Sequence, residues 1–461
     1  MSASGDPLDA LPAAVLADVL GRVTDAGDIA ACRLASRALL AASYLCSRVR
    51  LCAADCTRRR RVEGQAGAPA FRETSGNLAS LLGAHLRCLS LDAADGQGSP
   101  DDAMWVEEGE FEEADDLHLT CGEAVALWAD TAAGPVLREV EIADYWPQAC
   151  WRKAEALPLI SHYCELSIPN PRFRFDSFTS LNLIKLGLKN AWLSVDGLKK
   201  MPNLTHLTLE FVRLDDENLD QLNECFPCLH TLNLIGVGGL KDPKIHLLQL
   251  KTCHWEVSNI PMSLVVHAPN LVSLELKCVR PDSLILDTPS LSTLKLTIEK
   301  LSATAQVDGL VSLTNLRIES LDLISLFPAF VGGRAIRTLE LELPESASQY
   351  DLFEAIKPDY LLRTLASISE VNLAPRFSCE LTLSLALCKD SQFKSCVKKL
   401  LVHVPRSQRS FELLPLFQIC APLCEVTVLF HTESVDAVRE GVISVCLQRF
   451  AQIRWQWSTW N

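Results

Sequence analysis

No stretch of this 461-residue chain is apolar for long enough to cross a membrane. The longest apolar run, Leu413 to Leu423, is broken by Pro415, Gln418 and Pro422, whereas a membrane helix needs about 20 residues. The first residues, M-S-A-S-G-D-P, have neither the basic start nor the apolar core of a secretory signal. Basic residues are not in excess. There are 43 Lys and Arg against 57 Asp and Glu, a formal net charge of −14. Nonspecific nucleic-acid binding runs on counterion release by Lys and Arg, so this balance argues against that class. Catalytic signatures are missing as well: no G-x-S-x-G, no H-E-x-x-H and no P-loop. Gly236-Val237-Gly238-Gly239 runs into Leu240-Lys241, which is not a dinucleotide fingerprint. The ten histidines are scattered singly. These absences lead us to expect no catalytic residue, no metal site, no cofactor, and neither nucleic acid nor membrane as partner.

Cysteine, by contrast, is abundant. Eighteen cysteines without a secretory signal imply reduced thiols and an intracellular chain, in cytoplasm or nucleus or both. Cys225-Phe226-Pro227-Cys228 is formally C-x-x-C, but it has no second pair for zinc and no βαβ context for redox work.

What dominates the chain is a repeated phrase. Pro135–Ile142, Pro202–Leu209, Pro227–Leu234, Pro269–Leu276 and Pro289–Leu296 all read P-x-L-x-x-L-x-L, with Val or Ile standing in for Leu. The last two apolar positions are two apart and share one face of a strand. The first covers the same core from the turn before it. One unit cannot bury its own leucines, but a stack can, each buried Leu contributing about 1.5–3 kcal/mol before entropy is counted. By its first apolar position the frame runs Leu86, Ala114, Leu137, Tyr163, Leu183, Leu204, Leu229, Ile245, Leu271, Leu291, Leu313, Ile336, Ile368, Val397, Leu423 and Phe450. The mean spacing is about 24 residues, that of leucine-rich repeats. The expected fold class is α/β, a leucine-rich-repeat solenoid with parallel strands on a concave face and helices or irregular turns outside. Trp455, Trp457 and Trp460 are expected to cap its last repeat, over about residues 450–461.

The N-terminus has a different period. Leu8, Leu11 and Pro12 precede Val15, Leu16, Val19 and Leu20 at helical spacing, with Pro12 in the first turn. Gly21 and Thr24–Asp28 break the pattern, and Asp28 is expected to cap a second helix carrying Ile29. Leu39, Leu40 and Leu45 begin a third. Three short helices bury little by themselves and suit docking.

On Leu8, Leu11, Pro12, Leu16, Val19, Leu20 and the segment Asp28–Arg37, residues 8–50 resemble an F-box. The whole chain is similar to the plant group in which an F-box precedes leucine-rich repeats. The family's Trp after the second helix is not present in Ser36-Arg37-Ala38-Leu39-Leu40. The resemblance implies a substrate receptor of an SCF ubiquitin ligase. Leu8, Leu11, Pro12, Leu16, Val19, Leu20, Ile29 and Leu34 would meet a Skp1-like adaptor, and through it a cullin–RING ligase. The repeats would hold an unknown target protein.

The expected organisation is a loose tail over 1–6, an F-box-like helical domain over 7–50, and a linker over 51–76 containing Arg58–Arg61. An irregular solenoid follows over 77–461, with an acidic insertion at 92–116. Residues alternating with the leucines face the concave side. Among them His206, Thr208, Glu210, Glu275, Lys277, Lys295, Arg317 and Glu319 are the expected target contacts. Their mixed signs suit protein recognition. Two alternatives stand beside this reading. One is a plain interaction scaffold in which residues 8–50 cap the solenoid. The other is a small-molecule sensor using the Lys277, Lys295 and Arg317 cluster for an anion.

Overall fold

A computed structural model describes residues 11–53, 71–94, 117–131, 133–145, 153–165, 181–257, 260–299, 304–307, 309–344, 358–378, 396–404, 414–434 and 436–460. Leu8, Ala114, Arg58–Arg61 and the acidic run of the expected insertion lie outside these residues. The chain forms two compact units, residues 1–240 with 245–250, and residues 241–244 with 251–461.

The first unit starts with three helices, α1 (Ala13–Val23), α2 (Ala26–Ala35) and α3 (Arg37–Ser43). Pro12 is the N-cap of α1, and its carbonyl accepts from the Val15 and Leu16 N–H groups. Asp25, not Asp28, caps α2. Its carboxylate accepts the Asp28 N–H at 2.9 Å, so Asp28 sits inside the first turn. Ser36 caps α3 through the Ala38 N–H. The chain then enters β1 (Arg48–Cys52), which pairs in parallel with β2 (Cys88–Asp92). The Arg50 N–H donates to the Thr24 carbonyl at 2.7 Å, which ties the first strand to the helices. Helix α4 (Phe71–Leu82) lies between these two strands in sequence. The expected helical domain therefore ends earlier, and the expected linker contains the end of β1 and the start of α4, with Phe71 and Ser75 buried.

The ladder continues through β3 (Glu139–Ala143), β5 (Lys185–Leu193), β6 (His206–Arg213) and β7 (Thr231–Val237), all parallel. The two-residue β4 (Lys153–Ala154) pairs with the far end of β5. Helices α5 (Gly122–Ala129) and α6 (Ala156–Glu165) pack one on the next behind the strands, α5 also against α4. Asp215 caps α7 (Asp216–Cys225) through the Asn218 N–H. Tyr163, expected to lead a strand, lies in α6 instead. Ile245 lies in the short β8 (Lys244–His246), off the main ladder.

In the second unit the main ladder runs β9 (Thr252–Val257), β11 (Ser273–Cys278), β13 (Thr293–Ile298), β15 (Asn315–Glu319), β16 (Thr338–Glu342), β17 (Glu370–Leu373), β18 (Val397–Val404), β19 (Cys420–His431) and β20 (Arg454–Trp460). Every pair is parallel. Three strands absent from the sequence reading, β10 (Ser263–His267), β12 (Ser283–Asp287) and β14 (Thr304–Gln306), pair in parallel and with β8 make up a second, four-stranded sheet. Further along, helices take over: α8 (Leu323–Phe330), α9 (Pro358–Ala366), α10 (Leu414–Phe417) and α11 (Asp436–Arg449).

The repeated phrase now has a conformation. In Ala268-Pro269-Asn270-Leu271 the Leu271 N–H donates to the Ala268 carbonyl at 3.0 Å, and Leu291 does the same to Thr288. Leu204 to Met201 and Leu229 to Phe226 repeat it at 3.2 Å. Proline thus occupies the second position of a β-turn, where its fixed φ is preorganised and its missing N–H is not needed. The leucine closing the turn and the two in the strand are all buried, as in Leu271, Leu274 and Leu276. At the ladder's last strand Trp455 and Trp457 stack, centroids 5.2 Å apart, in register with the buried Val426 and Val428. Phe417 packs edge-on to Trp455.

Candidate functional site

Two surfaces of this fold gather the residues singled out from the sequence. The first is on the helices. Leu16 and Leu20, four apart on α1, are 2% and 1% exposed, Ile29 of α2 and Leu39 and Ala42 of α3 are buried as well, and α1 packs against both helices. The apolar face of α1 extends outward along one edge, while the opposite side of the helix carries the exposed Asp18–Arg22 bridge at 3.2 Å. Val15, Val19 and Val23 follow at i, i+4 and i+8 along that edge, all exposed, with Leu11 just ahead of the helix. Leu34 on α2 is 92% exposed, and Pro12 is exposed as well. Leu16, Leu20 and Ile29, expected as partner contacts, are therefore spent on the chain's own core, because three short helices need every inward apolar group. Leu11, Pro12, Val19 and Leu34 remain outward. Val15 and Val23 were missed, although the helical spacing from Val19 points to both.

The second surface is the open face of the strands. In the first unit it forms a groove of about 570 Å³ whose lining includes Arg50, Asp92, Glu141, Lys185, Gly187, Lys189, His206, Thr208, Glu210 and Asn233. Strand register puts them in rows: Glu141 beside Gly187, Gly187 beside Thr208, Thr208 beside Asn233. Asn233 Nδ2 donates to Thr208 Oγ1 at 3.1 Å. His206 Nδ1 meets the Thr205 hydroxyl at 2.8 Å. Burial, helped by Lys185 and His230, holds the His206 pKa below the usual histidine range. His206, Thr208 and Glu210 thus share one groove, as expected from sequence.

The charges on this face are mostly paired across strands. Arg50 reaches Asp92 at 2.6 Å, Lys185 reaches Glu139 at 3.0 Å, and Lys189 reaches Glu210 at 2.8 Å. In the second unit Lys277 bridges to Glu256 at 2.6 Å, Lys295 to Glu275 at 3.3 Å and Arg317 to Glu340 at 3.1 Å. Glu319 accepts from the Thr297 hydroxyl at 3.4 Å. Lys277, Lys295 and Arg317, a basic cluster in the sequence, are each answered by a carboxylate on an adjacent strand. Burial, with Glu319 alongside, raises the Glu342 pKa.

Among the described residues no group of three His, Cys, Asp or Glu could hold a metal. Burial pushes the thiols of Cys164, Cys253, Cys278 and Cys446 up to about 12, far from a reactive thiolate. Cys225 and Cys228 are free thiols, the first directed at the Leu198 carbonyl and the second exposed. A dense buried polar cluster around Asp144 is structural. Asp144 accepts from the Leu119 and Tyr145 N–H groups and from Thr120, and it meets His118 Nδ1 at 2.9 Å. It pins residues 118–120 to the end of β3. Among the described residues no helix is long and apolar enough to cross a membrane.

The profile described as FBD-associated F-box protein At5g56370, LRR repeats, matches residues 144–299. The F-box/LRR-repeat protein At4g29420 of Arabidopsis thaliana is 33% identical over 469 residues, covering 98% of each chain.

Proposed function

The chain belongs to the F-box/leucine-rich-repeat family, and from that premise we propose that it is the substrate-recognition subunit of an SCF-type ubiquitin ligase. The helices dock on a Skp1-like adaptor, the open strand face receives the target protein, and the ubiquitin transfer is performed by other subunits. Its contribution is proximity and orientation. One observation carries this reading: the helical segment exposes Val15, Val19 and Val23 on α1, Leu34 on α2 and Leu11 just ahead of α1, beside the leucines that form its core. An apolar face wider than the part its own core covers suits a partner on the exposed edge. The contact is placed on Leu11, Pro12, Val15, Val19, Val23 and Leu34, with Leu16, Leu20 and Ile29 as the core that holds it. Adaptor pull-down with the native chain and with Leu11→Asp/Pro12→Ala tests it. No capture by the native chain, or equal capture by the variant, would sink the proposal.

A further inference from the structure

The register slips between β18 and β19. Val397 pairs with Cys420 and Lys399 with Glu425, so four residues of β19, Ala421 to Cys424, stand against Lys398 alone. The excess is thrown outward: Pro422 and Leu423 are exposed, and Leu423 takes a left-handed backbone, φ 65°. Its N–H donates to the Gln452 carbonyl at 3.1 Å, which holds the bulge in place. The chain then returns, and Cys424 is buried where the regular strand resumes. Two strand steps span about 7 Å, and Cys420 and Cys424 both fall within them. That brings their Cα atoms into the separation of about 4.4–6.8 Å that a disulfide bridges.

The two side chains use this proximity. The Cys420 thiol hydrogen-bonds to the Cys424 sulfur, which holds Cys424 below the usual thiol range and, with burial, raises Cys420. Cys424 Sγ also lies 3.7 Å from the Glu425 carbonyl. Cys420 is half-buried, so a water-sized oxidant has a path to the pair. The C-x-x-C pair shows the contrast: Cys225 turns to the Leu198 carbonyl at 3.8 Å, and Cys228 is exposed. We propose that Cys420 and Cys424 form an oxidisable dithiol, a modification site at which a small hydroperoxide closes an intrachain disulfide. The Cys424 thiolate attacks the terminal peroxide oxygen, the O–O bond breaks, and the leaving oxygen takes a proton to become water or an alcohol. Cys420 then attacks the sulfenic sulfur of Cys424, gives up its thiol proton, and water departs. Two electrons pass from the two sulfurs to the peroxide. This holds independently of the receptor reading.

The test doses the full, reduced chain with hydrogen peroxide, blocks the remaining thiols with iodoacetamide in urea, and maps tryptic fragments without reduction. Residues 410–439 form one fragment that holds both cysteines and no others. At a dose that leaves Cys228 alkylated, this fragment is expected unalkylated and lighter by two hydrogens, and dithiothreitol restores both labels. Cys424→Ser keeps Cys420 alkylated through the same dose. Closure is about tenfold faster in the native chain than in one unfolded before dosing, because the bulge holds the sulfurs together. A native fragment that still carries two labels once Cys228 is oxidised overturns the proposal, with no variant needed. Equal closure rates in native and unfolded chains do the same, since the short C-x-x-x-C spacing would then suffice without the bulge.

Discussion

The ring of Phe211 on β6 lies where a side chain at Gly236 on β7 would have to be: a Cβ there would come within 2.6 Å of Phe211 Cδ1. The two residues directly follow the paired Glu210 and Ile235, and both have left-handed backbones, φ 50° and 61°. Asn190 on β5 holds the same place one strand earlier, at φ 56°. The three strands therefore bend together after their second leucine, and glycine is used where a neighbour's ring takes the space. Gly236→Ala is expected to cost about 1–3 kcal/mol in denaturant unfolding. Adding Phe211→Ala should recover the collision but not the backbone strain, so a double-mutant cycle reads a favourable coupling. Independent, additive effects would contradict the close approach.

The two sides of α1 and α2 should separate cleanly by mutation. Leu34→Asp leaves melting unchanged and abolishes adaptor capture. Leu16→Ala costs about 2–5 kcal/mol of stability, since the residue is fully buried. If Leu34→Asp still captures adaptor, the outward surface is not the docking face. Deleting residues 1–50 does not discriminate receptor from scaffold, because it also removes three residues of β1 and the Thr24–Arg50 bond.

Lys295 and Glu275 are about half exposed, so their bridge is screened. Lys295→Met should change stability by under about 1 kcal/mol. A thermal-shift screen with anionic metabolites is expected to show no stabilisation, because the cluster's cations are already paired. A saturable upward shift abolished by Lys295→Met would restore the anion-sensor reading.

Burial lowers the pKa of His403, whose Nδ1 donates to the Leu373 carbonyl and whose ring meets Trp460 edge-on, and it lowers that of His206. The unfolded chain then binds more protons than the native one below the ordinary histidine pKa of about 6.5. Stability from these groups is present above that pH and is lost as pH falls through it toward the depressed native values. His403→Gln should flatten the decline between about pH 7 and 5. An unchanged slope in urea titrations would rule His403 out as a contributor.

Thiol labelling should follow exposure and pKa. With iodoacetamide on native protein near neutral pH, mass spectrometry is expected to find Cys228 and Cys396 modified, both exposed. Cys253, Cys278 and Cys446 should label only on unfolding. Rapid native labelling of Cys253 would mean that the leucine core opens easily.

The repeat and its core could be read from the amino acids alone. P-x-L-x-x-L-x-L states a turn, a strand and three buried side chains, and all of that is local chemistry. It held even for the irregular units, where Ile368 and Val397 lead β17 and β18. The phrase fails where its marker changes. Cys46-Val49-Leu51 and Leu250-Cys253-Trp255 keep the spacing but replace leucines, so β1 and β9 went unseen, and Tyr163 carried the spacing into a helix. Only the tertiary structure decided which part of α1's broad apolar face turns inward: packing against α2 and α3 covers Leu16 and Leu20 and leaves the neighbouring Val15, Val19 and Val23 outside. The same holds for the strand face. The sequence shows Lys277, Lys295 and Arg317 as a basic cluster. Register across strands some twenty residues apart decides that each of those three cations is paired. A linear pattern specifies what each residue buries, but which charge meets which depends on neighbours that only stacking brings together.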